Sequence, residues 1–451
     1  MLANAVELNK VYFALAPDFM QRRDDKCLLI WSFLPYWMIV SQQMLAVLTQ
    51  FNGRNTLQEI IDKTVSLSDI QPAQYESKVK KEVSKLLEAK ILSTKPEKLS
   101  LDYVEDITSQ IIEEITLEIS DEENDDTVLN LEELKTIIRT IHKYVKNNAI
   151  LRITGLKPAQ DIQKLVALIK TATYKGLNIF IDLPSEAYTD EFINEISRMR
   201  VHVQITFDGA VSDINDAIQG KGAYERNVEC VRNFLSKKVY TIMNLNTSEH
   251  NYQEMGHFLN LAKNTGVNEC RVVPLKRTGK YKDFRTPDYR EIIAYLLDAL
   301  DKDPGLIRLL GRDILTIFEQ LIRNNEHKPS CGAAKNQVFI SADARVYPCI
   351  GYKLPQFEAG DLTAQPIDEI WEASSVLIQV RENTNVQSYQ QCTKCVIRYW
   401  CRGGCRAESF VHTKSVNKPS PACKSIQMAF IDLFWKLAGR EEFFKPKQPV
   451  C

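Results

Sequence analysis

Seven of the eleven cysteines fall between positions 331 and 423, and their spacing is that of metal ligands. Cys392, Cys395, Cys401 and Cys405 form one run, C-x2-C-x5-C-x3-C. Cys331 and Cys349 precede it and Cys423 follows it. Thiolates so closely spaced can converge on one centre, because a turn returns the chain within bonding distance. Zinc usually takes four ligands in paired C-x2-C units. Seven thiolates, with unequal gaps and a distant pair, suit two iron–sulfur clusters better, since soft thiolates select them. Cys27, Cys230, Cys270 and Cys451 read as ordinary thiols, the first three buried in strands or helices. There is no Gly-rich phosphate loop, no H-E-x-x-H and no serine elbow to supply another chemistry.

The chain of 451 residues is long enough for two to four domains. An apolar content of 44% and a charged content of 25% are those of a protein with real cores. A formal net charge of -1 gives no attraction to nucleic acid. The N-terminus lacks the basic and apolar segments of a secretory signal, and the apolar stretch around Leu28 to Val40 is too interrupted to span a bilayer. A cytoplasmic compartment follows, where clustered cysteines are metal ligands more often than disulfides.

Three segments must position the thiols. Residues 1–98 read as a winged-helix-like α+β domain. Its strands are 11–16, 26–33 and 37–41, with a polar turn at 22–26. Three helical patterns follow, the last with Tyr75, Val79, Val83, Leu86 and Leu87 on one face. Lys78, Lys80, Lys81 and Lys85 read as the solvated face of that helix rather than as a DNA contact. Residues 101–325 alternate strands (115–120, 150–154, 178–183, 201–207, 239–245, 270–275) with helices (131–145, 158–174, 188–197, 222–236, 251–264, 288–302). The fold class is therefore α/β, a partial (β/α)6 barrel of parallel strands, with any ligand at their carboxyl ends. Residues 326–451 read as a loop-rich, cysteine-rich domain that a metal must hold together.

The cysteine pattern resembles the SPASM domain of radical S-adenosylmethionine (AdoMet) peptide-modifying enzymes. ISADARVYPCIGY (340–352) resembles that family's strand-turn-strand, although Ala344 stands where the family usually has glycine. The resemblance implies that Cys392, Cys395, Cys401 and Cys423 bind one auxiliary cluster, of the [4Fe-4S] type. It implies that Cys331, Cys349 and Cys405 bind a second, whose fourth position is open or filled by another group. His327 is near in sequence but reads as a surface residue. QITFDGA (204–210), DAIQGKGAYERNVECVRNFL (216–235) and GVNECRVVPL (266–275) resemble the radical SAM barrel. The N-terminal domain resembles a RiPP recognition element, the module that binds a leader peptide in ribosomal peptide modification.

Against that family, two elements are lost. Its radical-generating cluster needs C-x3-C-x2-C after the first barrel strand, but here the loop reads DEENDDTVLN (121–130). Glu118, Asp121, Glu122, Glu123, Asp125 and Asp126 make this region acidic, and it reads as a solvated charge run. Carboxylates are poor ligands for such a cluster. After the next strand the family has Gly-Gly-Glu-Pro, where this chain has Gly155-Leu156-Lys157-Pro158. Lysine in place of glutamate turns an attraction for the cofactor's amino group into a repulsion, a swing of roughly a few kcal/mol at 4 Å.

The resemblance thus implies a pseudo-radical-SAM protein that neither binds nor cleaves AdoMet. Its expected role is a non-catalytic subunit partnering an intact maturase in RiPP biosynthesis. It would bind a precursor leader along strand 37–41 and helix 73–90, with no nucleic acid or membrane partner. The alternatives are an independent iron–sulfur electron carrier and a SAM-independent enzyme working at an open cluster iron.

Overall fold

Short strands rich in β-branched and aromatic residues open the chain, more of them than the three expected. The structure, a computed structural model, describes residues 6–34, 36–67, 71–96, 111–121, 127–155, 157, 161–275, 281, 283–310, 331–438 and 440. The first six strands are β1 (Val11–Ala14), β2 (Phe19–Arg23), β3 (Lys26–Trp31), β4 (Tyr36–Ser41), β5 (Asn52–Thr56) and β6 (Leu92–Ser93). They form two antiparallel sheets, β5-β1-β6 and β2-β3-β4. The polar stretch expected as a turn at 22–26 is therefore mostly strand. The reversal is confined to Asp24 and Asp25, with Asp24 at φ 51, a left-handed conformation that Asp tolerates.

Three helices complete this region: Gln42–Leu48, Leu57–Thr64 and Pro72–Glu88. Thr56 and Glu59 form a reciprocal capping box at the second. Pro72 opens the third, where a missing N–H costs nothing. Tyr75, Val79, Val83 and Leu86 bury its inner face against β-sheet residues such as Leu29 and Val40.

The middle of the chain carries six parallel strands in sequence order: β7 (Ile112–Glu118), β8 (Val145–Thr154), β9 (Asn178–Asp182), β10 (Val201–Phe207), β11 (Tyr240–Thr247) and β12 (Glu269–Pro274). Their apolar runs are buried because helices cover the sheet. Helices Leu131–Ile141, Ile162–Tyr174, Asp190–Ile196, Ala223–Ser236, Met255–Thr265 and Tyr289–Lys302 match the expected set, with two differences. The first helix stops at Ile141 and β8 begins at Val145, and an unexpected helix spans Ser212–Gln219.

The sheet does not end with the sixth strand. β13 (Gln337–Ile340) pairs parallel to β7, and β14 (Arg345–Tyr347) and β15 (Gly360–Asp361) extend it antiparallel. The cysteine-rich region is therefore continuous with the parallel sheet. Nor is it loop-rich, as expected: it holds helices Ile367–Ala373, Ser375–Glu382, Arg398–Cys401, Arg406–Thr413 and Cys423–Leu437. Trp371, Phe430, Leu433 and Phe434 are fully buried there, so apolar packing shares the work assigned to metal. Helix Cys423–Leu437 also anchors the N-terminal sheet. Trp37 packs on Phe434 with centroids 4.8 Å apart, Trp435 donates to Gln21 at 2.7 Å, and Arg23 pairs with Asp432 at 3.0 Å.

Candidate metal centre

Each cysteine is set by a local turn or helix end. Cys349 lies two residues beyond β14, after Pro348, and Cys331 accepts a backbone hydrogen bond from Ala333 at 3.5 Å. Cys392 and Cys395 lie on consecutive turns, joined by Cys395 N donating to the Cys392 carbonyl at 2.9 Å. Cys401 ends a single helical turn. Arg402, Gly403 and Gly404 then run at φ 53, 79 and 72, a left-handed reversal that glycine adopts freely. That reversal delivers Cys405 to the start of helix Arg406–Thr413. Cys423 is the first residue of helix Cys423–Leu437, where the helix dipole favours a thiolate.

Two groups result. Cys392, Cys395, Cys401 and Cys423 lie within mutual electrostatic reach: Cys401 feels the other three, and Cys392 feels Cys395 and Cys423. Cys331, Cys349 and Cys405 all lie within electrostatic reach of the phenol of Tyr352, which burial and those sulfurs hold well above its usual value. Tyr389 stands between the groups, facing Cys331 and Cys392. Desolvation pushes Cys392 up to about 11 and Cys401 up to about 12, and raises Cys395 and Cys423. In the metal-free chain burial therefore favours the neutral thiols, and a bound metal would supply the positive charge that stabilises them as thiolates.

The donor set fits clusters better than a single ion. Among the described residues, no three His, Cys, Asp or Glu side chains are drawn together tightly enough to hold one metal ion. A tetrahedral zinc requires every sulfur about 2.3 Å from one centre. A cluster instead spreads its thiolates over separate irons. Donors near the sulfurs also fit: Gln427 Nε2 lies 3.9 Å from Cys395 Sγ, and Gln391 Nε2 lies 3.9 Å from Cys423 Sγ. Such contacts orient ligands and tune cluster potentials. His327 and Cys451 lie outside the described residues. Cys27, Cys230 and Cys270 are buried in β3, helix Ala223–Ser236 and β12.

The carboxyl end of β7 is organised quite differently. Glu118 is buried, and its carboxylate accepts from Lys353 Nζ at 2.7 Å and from Ala342 N at 3.1 Å. Asp121 lies 3.4 Å from the same ammonium. Burial pulls Lys353 down, but the hydrogen bond and charge of Glu118, with Asp121, prevail and hold it above its ordinary value. These two acids are therefore paired rather than solvated, which corrects the expected charge run. Glu122, Glu123, Asp125 and Asp126 lie outside the described residues, as do Leu156 and Pro158.

Ser120 ties the ends of β7 and β8 together, donating to the Lys157 carbonyl at 2.7 Å and accepting from Lys157 N at 3.1 Å. A Cβ on Gly155 would sit 2.5 Å from Ser120 Oγ, so only glycine fits this approach. The turn between β13 and β14 closes over the same end. Thr127 Oγ1 and Val128 N both donate to the Ala342 carbonyl, at 3.1 and 2.9 Å. Within that turn Ala344 is buried at φ 66, a conformation suited to the glycine it replaces.

Further along the sheet, Arg152 pairs with Glu114 at 2.7 Å and Arg271 with Glu269 at 2.7 Å, both over the Phe180 ring. Tyr281 donates to Asp208, whose other partners include Asn246 and Gln219. The sequence offered no signal for the Lys353–Glu118 pair, whose members are 235 positions apart.

Comparison with known proteins bears on part of this region. The profile of SPASM, an iron–sulfur cluster-binding domain, matches residues 331–396. The match holds Cys331, Cys349, Cys392 and Cys395, and the other three cysteines lie beyond it. Mycofactocin maturase MftC of Mycobacterium ulcerans is 27% identical over 235 residues, 49% of this chain and 60% of that protein. The chain thus aligns with less than two thirds of that relative. Among solved structures, Streptococcus suis SuiB bound to precursor peptide SuiA superposes at TM-score 0.56 and 12% identity, covering 90% of this chain and all of that one. Native anSMEcpe with bound AdoMet superposes at TM-score 0.58 and 13% identity, covering 72% and 98%. The fold is shared with these solved structures, and together these findings support a protein of the radical-SAM/SPASM kind.

Proposed function

We propose that this chain is a non-catalytic partner subunit of a radical SAM peptide maturase, carrying two auxiliary iron–sulfur clusters and binding a precursor leader. The observation that carries the reading is the carboxyl end of β7. Where the related fold is expected to place its AdoMet-reducing cluster, this chain has Glu118 and Asp121 paired to Lys353, under the β13–β14 turn. That internal ion pair offers no thiolate to iron and leaves its carboxylates engaged with protein donors.

Cys392, Cys395, Cys401 and Cys423 would hold one cluster, and Cys331, Cys349 and Cys405 the other. When bound, each cluster supplies one-electron transfer. The leader would lie along β4, an edge of its sheet. Helix Pro72–Glu88 runs beside that edge, since burial and the charges of Glu82 and Glu88 together push the Tyr36 phenol up to about 12. An extended peptide adding to β4 would gain backbone hydrogen bonds there and side-chain contacts from the helix. The similarity to SuiB, solved with its precursor peptide, supports a precursor peptide as the partner.

The test is co-expression with an intact maturase and its precursor. Expected are co-purification of the maturase, leader binding weakened by Glu82→Lys with Glu88→Lys, and no 5′-deoxyadenosine from this chain alone. Full-rate modification by the maturase alone, with neither partner co-purifying, would overturn the reading. The independent electron carrier would then stand first.

A further inference from the structure

Arg406 is 1% exposed, and no carboxylate pairs with it among the described residues. Only part of its guanidinium is used: Nη1 donates to the carbonyls of Val416 and Lys418, at 3.3 and 3.2 Å. Nε and Nη2 are buried without an acceptor. The guanidinium stacks on Tyr389, 4.5 Å from the ring centroid. Its Nη2 lies over the turn joining Cys401 to Cys405, where a Cβ on Gly403 would come within 3.3 Å of it. The same guanidinium lies within electrostatic reach of Cys392, Cys401 and Cys423. Arg398, also buried, donates Nη1 to the Cys395 carbonyl at 2.8 Å and leaves Nη2 without an acceptor.

A buried cation with two idle donors is costly unless an anion satisfies it. Among the described residues none does, while four thiolates around an iron–sulfur cluster carry net negative charge and sulfur acceptors. We propose that Arg406 is the counter-cation and N–H donor of the cluster held by Cys392, Cys395, Cys401 and Cys423, and that it sets that cluster's reduction potential. This rests on the cluster reading above. Reduction adds one electron to the cluster and makes it more negative, so a fixed adjacent cation favours the reduced form. Donation to sulfur acts in the same direction. Arg406 is thus a tuning residue, not a ligand. Arg398, with one idle donor, acts in the same sense and more weakly.

The test is an anaerobic potentiometric titration of the loaded full-length protein, with dithionite as electron donor and the cluster spectrum as readout. Arg406→Gln should retain iron and shift the oxidised-to-reduced ratio at fixed poise at least tenfold toward oxidised, about 59 mV for a one-electron couple. Arg406→Lys keeps the charge and loses the donor fork, so its potential should fall between. It also serves as the test should Arg406→Gln not fold. Arg381→Gln is the control: Arg381 is likewise buried with an unpartnered Nη1, but it packs on Trp371 and bonds the carbonyls of Ala334 and Trp371. Its potential should not move. Iron bound at the parental level with no shift in either Arg406 variant overturns the proposal and leaves the clusters standing. An equal shift in Arg381→Gln also overturns it. Wild-type protein that takes up no iron overturns the cluster reading and this inference with it.

Discussion

The carboxyl end of the parallel sheet and the cysteine region belong to one continuous sheet, yet they treat buried charge in opposite ways. At the sheet's end Glu118 and Asp121 have Lys353, and elsewhere in the sheet Arg152 has Glu114 and Arg271 has Glu269. In the cysteine region, Arg406 and Arg398 keep buried N–H groups without acceptors, and four thiols are pushed up by desolvation. Half-satisfied polar networks in a dry interior are expensive, so they persist where something outside the chain completes them. The comparison separates a place the protein has closed with its own side chains from one it has built around a non-protein group.

The largest effect expected from breaking this contrast is on iron. Cys401→Ser should remove about half the iron of the loaded protein, one cluster of two, while Lys353→Met should leave iron content unchanged. Equal losses in both variants would erase the distinction.

The next effect is a pH dependence confined to the metal-free chain. A thiol whose folded value lies above the unfolded one keeps its proton after the unfolded chain has lost it. Stability is therefore full below the ordinary thiol value of 9.0, and falls as pH climbs toward about 11 for Cys392 and about 12 for Cys401. The loss should be on the order of a few kcal/mol, read as a falling Tm. Loaded protein has no such protons to lose, and its Tm should stay level over that window.

Smaller still is the direct cost of opening the sheet's end. Lys353→Met strips Glu118 of its cation and should cost about 1–3 kcal/mol in denaturant unfolding. Calorimetry should still detect no AdoMet binding to this variant. The smallest effect sits at the turn joining the two regions. Ala344→Gly relieves a left-handed alanine but adds chain entropy, so the net gain in stability should not exceed about 1 kcal/mol. A loss larger than that would mean the buried methyl matters more than the backbone.

Much of the scaffold was legible because its signals are local. The six parallel strands are apolar runs buried on both faces, and the cysteine spacing stands out at any reading. β2 and β5 were missed because FMQRR and NGRNT are too polar to show a strand pattern. The helices of the cysteine region could have been found. Ile426, Phe430, Leu433, Phe434 and Leu437 recur at helical spacing, which is a local signal. The pairing of Lys353 with Glu118 and the burial of Arg406 had no such signal. Each is a charged residue in a polar context, and only the tertiary fold takes it out of water.

The most direct measurement is the electron paramagnetic resonance spectrum of anaerobically loaded, dithionite-reduced protein, recorded with and without AdoMet. Reduced iron–sulfur cluster signals that AdoMet leaves unchanged are the expected result. Signals that AdoMet perturbs would show a cluster that binds the cofactor and would contradict the account, and no cluster signal at all would show that the buried thiols serve some other purpose.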